Sequence, residues 1–333
     1  MGYHRGRSCY DYGMARIEFE HHAKELAHHP RLPLSRWVLA QIVALAIALA
    51  LLLAAGSLAP AWAQGRRLAL VVGISAFKDK AFQTLRYAAS DARQMAAYLA
   101  DPKGGCFNPK DITVLLNEQA TKSNILRHIQ HIVLTSQPED TVLVYFSSHG
   151  AYTPDHEAGI VCHDSRSVAQ DWRFGPIVKP DTALLRDSLH RFLRYLRAAK
   201  RAVVVDVCHG ADATAGVSCT LPKLDGYPPE SEMEAGPDKN AGPGAGEDQV
   251  TVVMTSCLGR ERAWESRQLG ASIFTYYLIQ GLRHFEGNLV EAFYYAQEWT
   301  QRQSSNEKGW CQMPYIVTHP PWQRLILGPP GKS

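Results

Sequence analysis

Short apolar runs alternate along this chain with longer segments whose apolar positions recur every three to four residues. Arg67 to Ile74 (R-L-A-L-V-V-G-I), Ile112 to Leu116, Val142 to Phe146, Val203 to Val205 and Val250 to Thr255 are the runs. Such runs read as strands buried on both faces. Between them the 3.6-residue period predicts helices over 85–100, 122–134 and 181–199, the last carrying Leu184, Leu185, Leu189, Phe192, Leu193 and Leu196. Thr121 stands where a helix-capping hydroxyl belongs. Two further helices are predicted over 271–282 and 288–301, a short strand over 159–162 and a last edge strand at Tyr315-Ile316-Val317. Strand–helix alternation predicts an α/β fold, a mostly parallel sheet with helices on both faces.

Two stretches break the pattern. Residues 211–249 are rich in Gly and Pro, with several acids, and too poor in apolar residues to order themselves; they read as a mobile linker. Near the N-terminus, Arg31 and Arg36 precede an apolar run from Trp37 to about Leu53, followed by Gly56, Pro60 and the small-x-small site Ala61-Trp62-Ala63. That order is charged region, apolar region, cleavage site: a signal peptide over 1–63, cut before Gln64, with export to the periplasm or the exterior. The alternative is an uncleaved membrane anchor, since Trp37 to Ala55 is just long enough to span. The main domain then covers 64–320, and 321–333 reads as a frayed tail. Its ending G-P-P-G-K-S is not a phosphate loop, because position 326 is Ile where that motif needs Gly.

Composition narrows the function. The formal charge is +3 over 333 residues, with 46% hydrophobic residues, and no basic stripe is present, so no nucleic-acid partner is expected. Six cysteines follow residue 63, with spacings that match no zinc pattern. In an oxidising compartment at most two disulfides form if one cysteine stays a reactive thiol.

The candidate chemistry lies at two strand ends. V-V-V-D-V-C-H-G delivers Cys208, and V-L-V-Y-F-S-S-H-G delivers His149. A lone Cys after an apolar strand is usually a small buried hydrophobe. A Cys and a His, each at a strand end and close to a Gly, instead suit a nucleophile and its base. His209 is a rival base, but its neighbour Cys208 points to the opposite face if the strand alternation holds. The backbone N–H groups of Cys208 and Gly150 are candidate oxyanion donors. Asp206, two residues before Cys208, shares its face.

S-S-H-G and D-V-C-H-G resemble the S-G-H-G and D-x-C-H-S-G motifs of metacaspases, the caspase-like cysteine peptidases. Ser148 and Gly210 are the departures. The resemblance spans about Arg67 to Pro320 and implies a caspase-like three-layer sandwich, with 211–249 in the place of the linker between large and small subunits. It implies an endopeptidase that cuts after Arg or Lys, the side chain before the scissile bond (P1) entering a pocket (S1) lined by Asp91, Ser147 and Asp206. It also admits a calcium requirement; Asp155, Glu157, Asp164 and Asp171 are the oxygen-bearing residues available, though their spacing is not that of an EF-hand. No other cofactor is expected. Lys223 and Lys239 are candidate self-cleavage sites in the linker. The alternatives are a non-catalytic caspase-like module that binds a peptide or partner, and a small-molecule ester or amide hydrolase on the same scaffold.

Overall fold

The computed structural model describes residues 37, 38, 40, 41, 43–47, 65–208, 249–259, 261–321 and 323–329. The chain divides into two units, Met1–Ala61 and Trp62–Ser333. In the first, the described residues from Trp37 to Ile47 are helical and exposed. Among the described residues no helix is long and apolar enough to cross a membrane. The remainder of the N-terminal stretch, the linker with Lys223 and Lys239, and His209 and Gly210 lie outside the described residues.

In the second unit the elements run β1 (Arg67–Gly73), α1 (Ala88–Ala100), β2 (Ile112–Leu116), α2 (Lys122–Thr135), β3 (Thr141–Ser147), β4 (Gly150–Tyr152), β5 (Ala158–Ile160), β6 (Ser167–Asp171), β7 (Gly175–Val178), β8 (Leu184–Leu185), α3 (Arg186–Tyr195) and β9 (Lys200–Asp206). Then follow β10 (Val250–Thr255), β11 (Glu265–Ser266), β12 (Ala271–Ser272), α4 (Ile273–His284), α5 (Leu289–Lys308) and β13 (Tyr315–His319). Six strands form one sheet in the order β13-β10-β9-β3-β1-β2. Five are parallel, and β13 joins antiparallel at the edge.

Alternate side chains of each strand feed two cores. Leu68, Leu70 and Val72 pack with Ile125 and Ile129 of α2 and Leu189 and Phe192 of α3. Ala69 and Val71 face the other way, against Met95 and Leu99 of α1, Phe274 and Leu278 of α4 and Phe293 of α5. This is the expected layer order, helices on both faces of a mostly parallel sheet.

Tertiary contacts move three boundaries away from the sequence expectation. α1 starts at Ala88 rather than Leu85, because the N–H groups of Arg86 and Tyr87 donate to the distant Glu265 carboxylate (3.0 and 2.6 Å). The long helix expected over 181–199 is only α3. Leu184 and Leu185 are drawn into a strand against β5, and buried Arg201 donates to the carbonyls of Leu193 (2.6 Å) and Leu196 (3.3 Å) at the helix end. Ala271 and Ser272 are a strand beside β11, so α4 begins at Ile273. The β6–β7 hairpin had no clear periodic signal. The segment 323–329 is packed rather than frayed: Leu325 and Leu327 are buried, and Arg67 donates to the carbonyls of Leu327 (3.1 Å) and Gly328 (2.7 Å).

Candidate functional site

Parallel pairing aligns the two chemical strands. Ser147 of β3 lies opposite Asp206 of β9, so His149 and Cys208 each follow a matched position by two residues. The crossing is tight. A Cβ on Gly150 would sit 1.8 Å from the Cys208 carbonyl oxygen, so only glycine lets the His149 loop approach Cys208 this closely. Ser148 donates its hydroxyl to the Val161 carbonyl (2.7 Å), tying the same loop to the end of β5.

His149 is held from the loop after β1. Its ring lies 5.0 Å from that of Phe77, and its Nε2 is 2.7 Å from the Gln83 carbonyl. A carbonyl only accepts, so Nε2 carries the hydrogen and a neutral ring keeps its lone pair on Nδ1. Burial pushes the His149 pKa below its ordinary value, partly opposed by the Gln83 bond and the Glu265 charge. Burial pushes the Cys208 thiol above its ordinary value, while the Arg262 charge pulls it down. Both effects favour a neutral thiol beside a neutral imidazole over a ready-made ion pair.

His149 and Cys208 open into a cavity of about 630 Å³ shared with Asp91, Ser147, Asp206 and Glu265. All the residues expected from the sequence to form the site therefore line one space. Asp206 accepts from the hydroxyls of Ser272 (2.5 Å) and Thr275 (2.6 Å), and Asp91 from the Ser272 N–H (3.1 Å). Thr275 Oγ1 is in turn 2.6 Å from the Tyr145 hydroxyl. Both aspartates are buried, and their partners here are neutral. Burial, then the Asp206 charge, push the Asp91 pKa up to about 8; burial likewise raises that of Asp206. Both shifts favour the protonated, neutral form of the two carboxyls while no cation stands beside them.

Several contributors escaped the sequence reading. Gln83 acts through its backbone carbonyl, which no side-chain pattern announces. Ser272 and Thr275 had a faint signal, two hydroxyls three apart at a helix start. Glu265 is remote in sequence from Asp91, His149 and Cys208. The calcium candidates do not fit a site: among the described residues no group of three or more metal-ligating side chains comes together. Asp164 accepts from the Lys122 N–H (2.8 Å), and Asp171 from the N–H groups of Arg173 (2.7 Å) and Phe174 (3.0 Å). Cys106, Cys162, Cys208, Cys257 and Cys311, the described cysteines, are free thiols.

Comparison with known proteins bears on family and fold. The Peptidase_C14 caspase-domain family model matches residues 66–324. Metacaspase-1B of Aspergillus fumigatus is 30% identical over 157 residues, which is 45% of this chain and 36% of that protein. Metacaspase-1A of Aspergillus niger is 28% identical over 162 residues, 45% of this chain and 37% of that one. The match thus spans little more than a third of the length of these relatives. Among solved structures, caspase-1 from Spodoptera frugiperda has the same fold, with a TM-score of 0.53 at 15% identity over 81% of this chain and 92% of that one.

Proposed function

The chain belongs to the caspase-domain family of cysteine peptidases, Peptidase_C14, and from that premise we propose that it is a metacaspase-like endopeptidase that cuts protein chains after Arg or Lys, with Cys208 as nucleophile and His149 as base. The observation that carries the specificity is the acidic end of the cavity. Asp91, Asp206 and Glu265 converge beside Cys208, and the partners of the two aspartates are hydroxyls and a backbone N–H. A guanidinium offers several donors to such carboxylates, and an ammonium three.

In this reading Nδ1 of His149 takes the thiol proton as Sγ attacks the scissile carbonyl carbon. The N–H groups of Cys208 and Gly150 hold the oxyanion. The imidazolium gives its proton to the leaving amine, which departs and leaves a thioester on Sγ. Water, activated by His149, hydrolyses the thioester and restores the thiol. We further propose that residues 1–63 direct export; N-terminal sequencing of protein recovered from outside the cytoplasm tests that part.

The deciding experiment is a P1-varied set of fluorogenic peptides, with Cys208→Ala as control. Cleavage is expected after Arg and Lys alone and is lost in the variant. Preference for Asp or for an uncharged P1, or retained activity in Cys208→Ala, overturns the reading.

A further inference from the structure

The cavity has a second, chemically different end. Trp172, Phe174, Pro176 and Phe82 line it. Trp172 stands 84% exposed at the turn between β6 and β7. The turn that presents it is rigidly built. The Asp171 carboxylate caps the N–H groups of Arg173 (2.7 Å) and Phe174 (3.0 Å), and Gly175 supplies the positive φ of 86°. The Arg173 guanidinium lies 4.5 Å over the indole, and Phe174 packs edge-on to Tyr152 at 5.0 Å.

The two ends lie on opposite faces of the sheet. Asp206 and Asp91 bond to Ser272 and Thr275 at the start of α4. The hairpin is rooted on the other face through Val178, which packs in the core with α2 and α3. His149 and Cys208 occupy the strand ends between. The leaving amine must face His149, its proton donor in the proposed reading, and the His149 ring packs on Phe77, which packs on Phe82 of the apolar lining, so the residues after the scissile bond are placed on the hairpin side.

Building on the proposed endopeptidase reading, we propose that Trp172 and Phe174 form a subsite for an aromatic side chain in the first two positions after the scissile bond, so that the substrate is a basic residue followed by an aromatic one. Trp172 is then a specificity-determining residue. Its ring stacks on the incoming ring, and the capped turn holds it without further ordering.

Internally quenched peptides test this, with Arg at P1 and either Gly-Gly or a Phe- or Trp-containing pair after it. The wild type is expected to favour the aromatic peptides about tenfold in kcat/KM. Trp172→Ala should erase that preference and leave the Gly-Gly peptide unchanged, and Trp172→Phe should keep most of it. Equal rates for both peptides in the wild type, or an equal loss on both in Trp172→Ala, overturn the subsite and leave the peptidase reading standing. Failure of the wild type to cut any Arg or Lys peptide overturns both.

Discussion

At the scale of single residues the site is governed by protons held away from their ordinary pKa values. His149 is depressed by burial below 6.5, so its base form persists into mildly acidic solution. The acid limb of kcat/KM, which reports the free enzyme, is expected below pH 6.5. Asp91 behaves in the opposite sense. Its carboxyl holds a proton up to about pH 8 and becomes a full partner for a cation only above that. For Arg substrates kcat/KM should therefore climb further as pH rises through about 8, while uncharged P1 substrates show no such step. Asp91→Asn should abolish the step and, above about pH 8 where the wild-type carboxylate is charged, lower kcat/KM for Arg peptides about tenfold or more through loss of one buried charge partner. The same raised pKa has a stability consequence. A carboxyl whose folded pKa exceeds its unfolded value favours folding at low pH, and that contribution is lost as pH rises through about 8. Thermal melts should show wild type losing more stability than Asp91→Asn as pH rises from about 4 to about 8, with no further difference above that. A pH–rate profile with no charge-dependent step would count against the Asp91 assignment.

At the scale of elements, the decisive event is the approach of two strand ends. β3 and β9 pair in parallel with Ser147 opposite Asp206, and Gly150 then lies against the Cys208 carbonyl. Both sides of that contact are backbone, so no side-chain rotation relieves a clash. Gly150→Ala should displace the Cys208 loop. The expected result is a loss of activity of about a hundredfold or more, with a destabilisation of about 1–3 kcal/mol, read by peptide assay and denaturant melts. Near-wild-type activity would show that the approach is dispensable. Glu265 is the other joint between elements. By accepting from Arg86 and Tyr87 it holds the segment after β10 to the start of α1, which carries Asp91. One carboxylate thereby aligns two walls of the acidic pocket.

At the scale of the whole molecule, a strap near the end of the chain closes one core. Leu325 and Leu327 are buried with α4 and α5, and Gly328 packs on Gly287 where a Cβ would meet backbone at 2.1 Å. Arg67, at the start of β1, binds the strap through two of its carbonyls. Removing residues 324–333 takes away two buried leucines, about 1.5–3 kcal/mol each, and leaves the Arg67 guanidinium short of acceptors. A stability loss of about 3–6 kcal/mol is expected by denaturant unfolding, with the cleavage preference of the surviving folded fraction unchanged. A truncated chain as stable as the full one would mean that the strap is an accessory.

The sequence by itself determined the sheet strands, because β3 and β10 are mostly apolar runs, buried along their whole length, whose burial needs no knowledge of partners. Cys208, His149 and Asp206 were legible by their places at strand ends, where an α/β sheet gathers its loops, and Asp91 and Ser147 through the metacaspase resemblance; all five line one cavity. Thr121 as a cap was equally legible, since its hydroxyl accepts from the Asn124 N–H three residues on, a purely local bond of 3.3 Å. Only tertiary structure decided the rest. Glu265 caps residues 178 and 179 positions away, Arg201 meets the end of α3, and the Gln83 carbonyl sets the tautomer of a histidine 66 positions on. Trp172 joined the cavity through a hairpin with no clear periodic signal. Each of these acts through backbone groups or contacts between segments far apart in the chain. Local pattern carries information about a residue and its near neighbours, whereas a hydrogen bond closes wherever the fold brings donor and acceptor together.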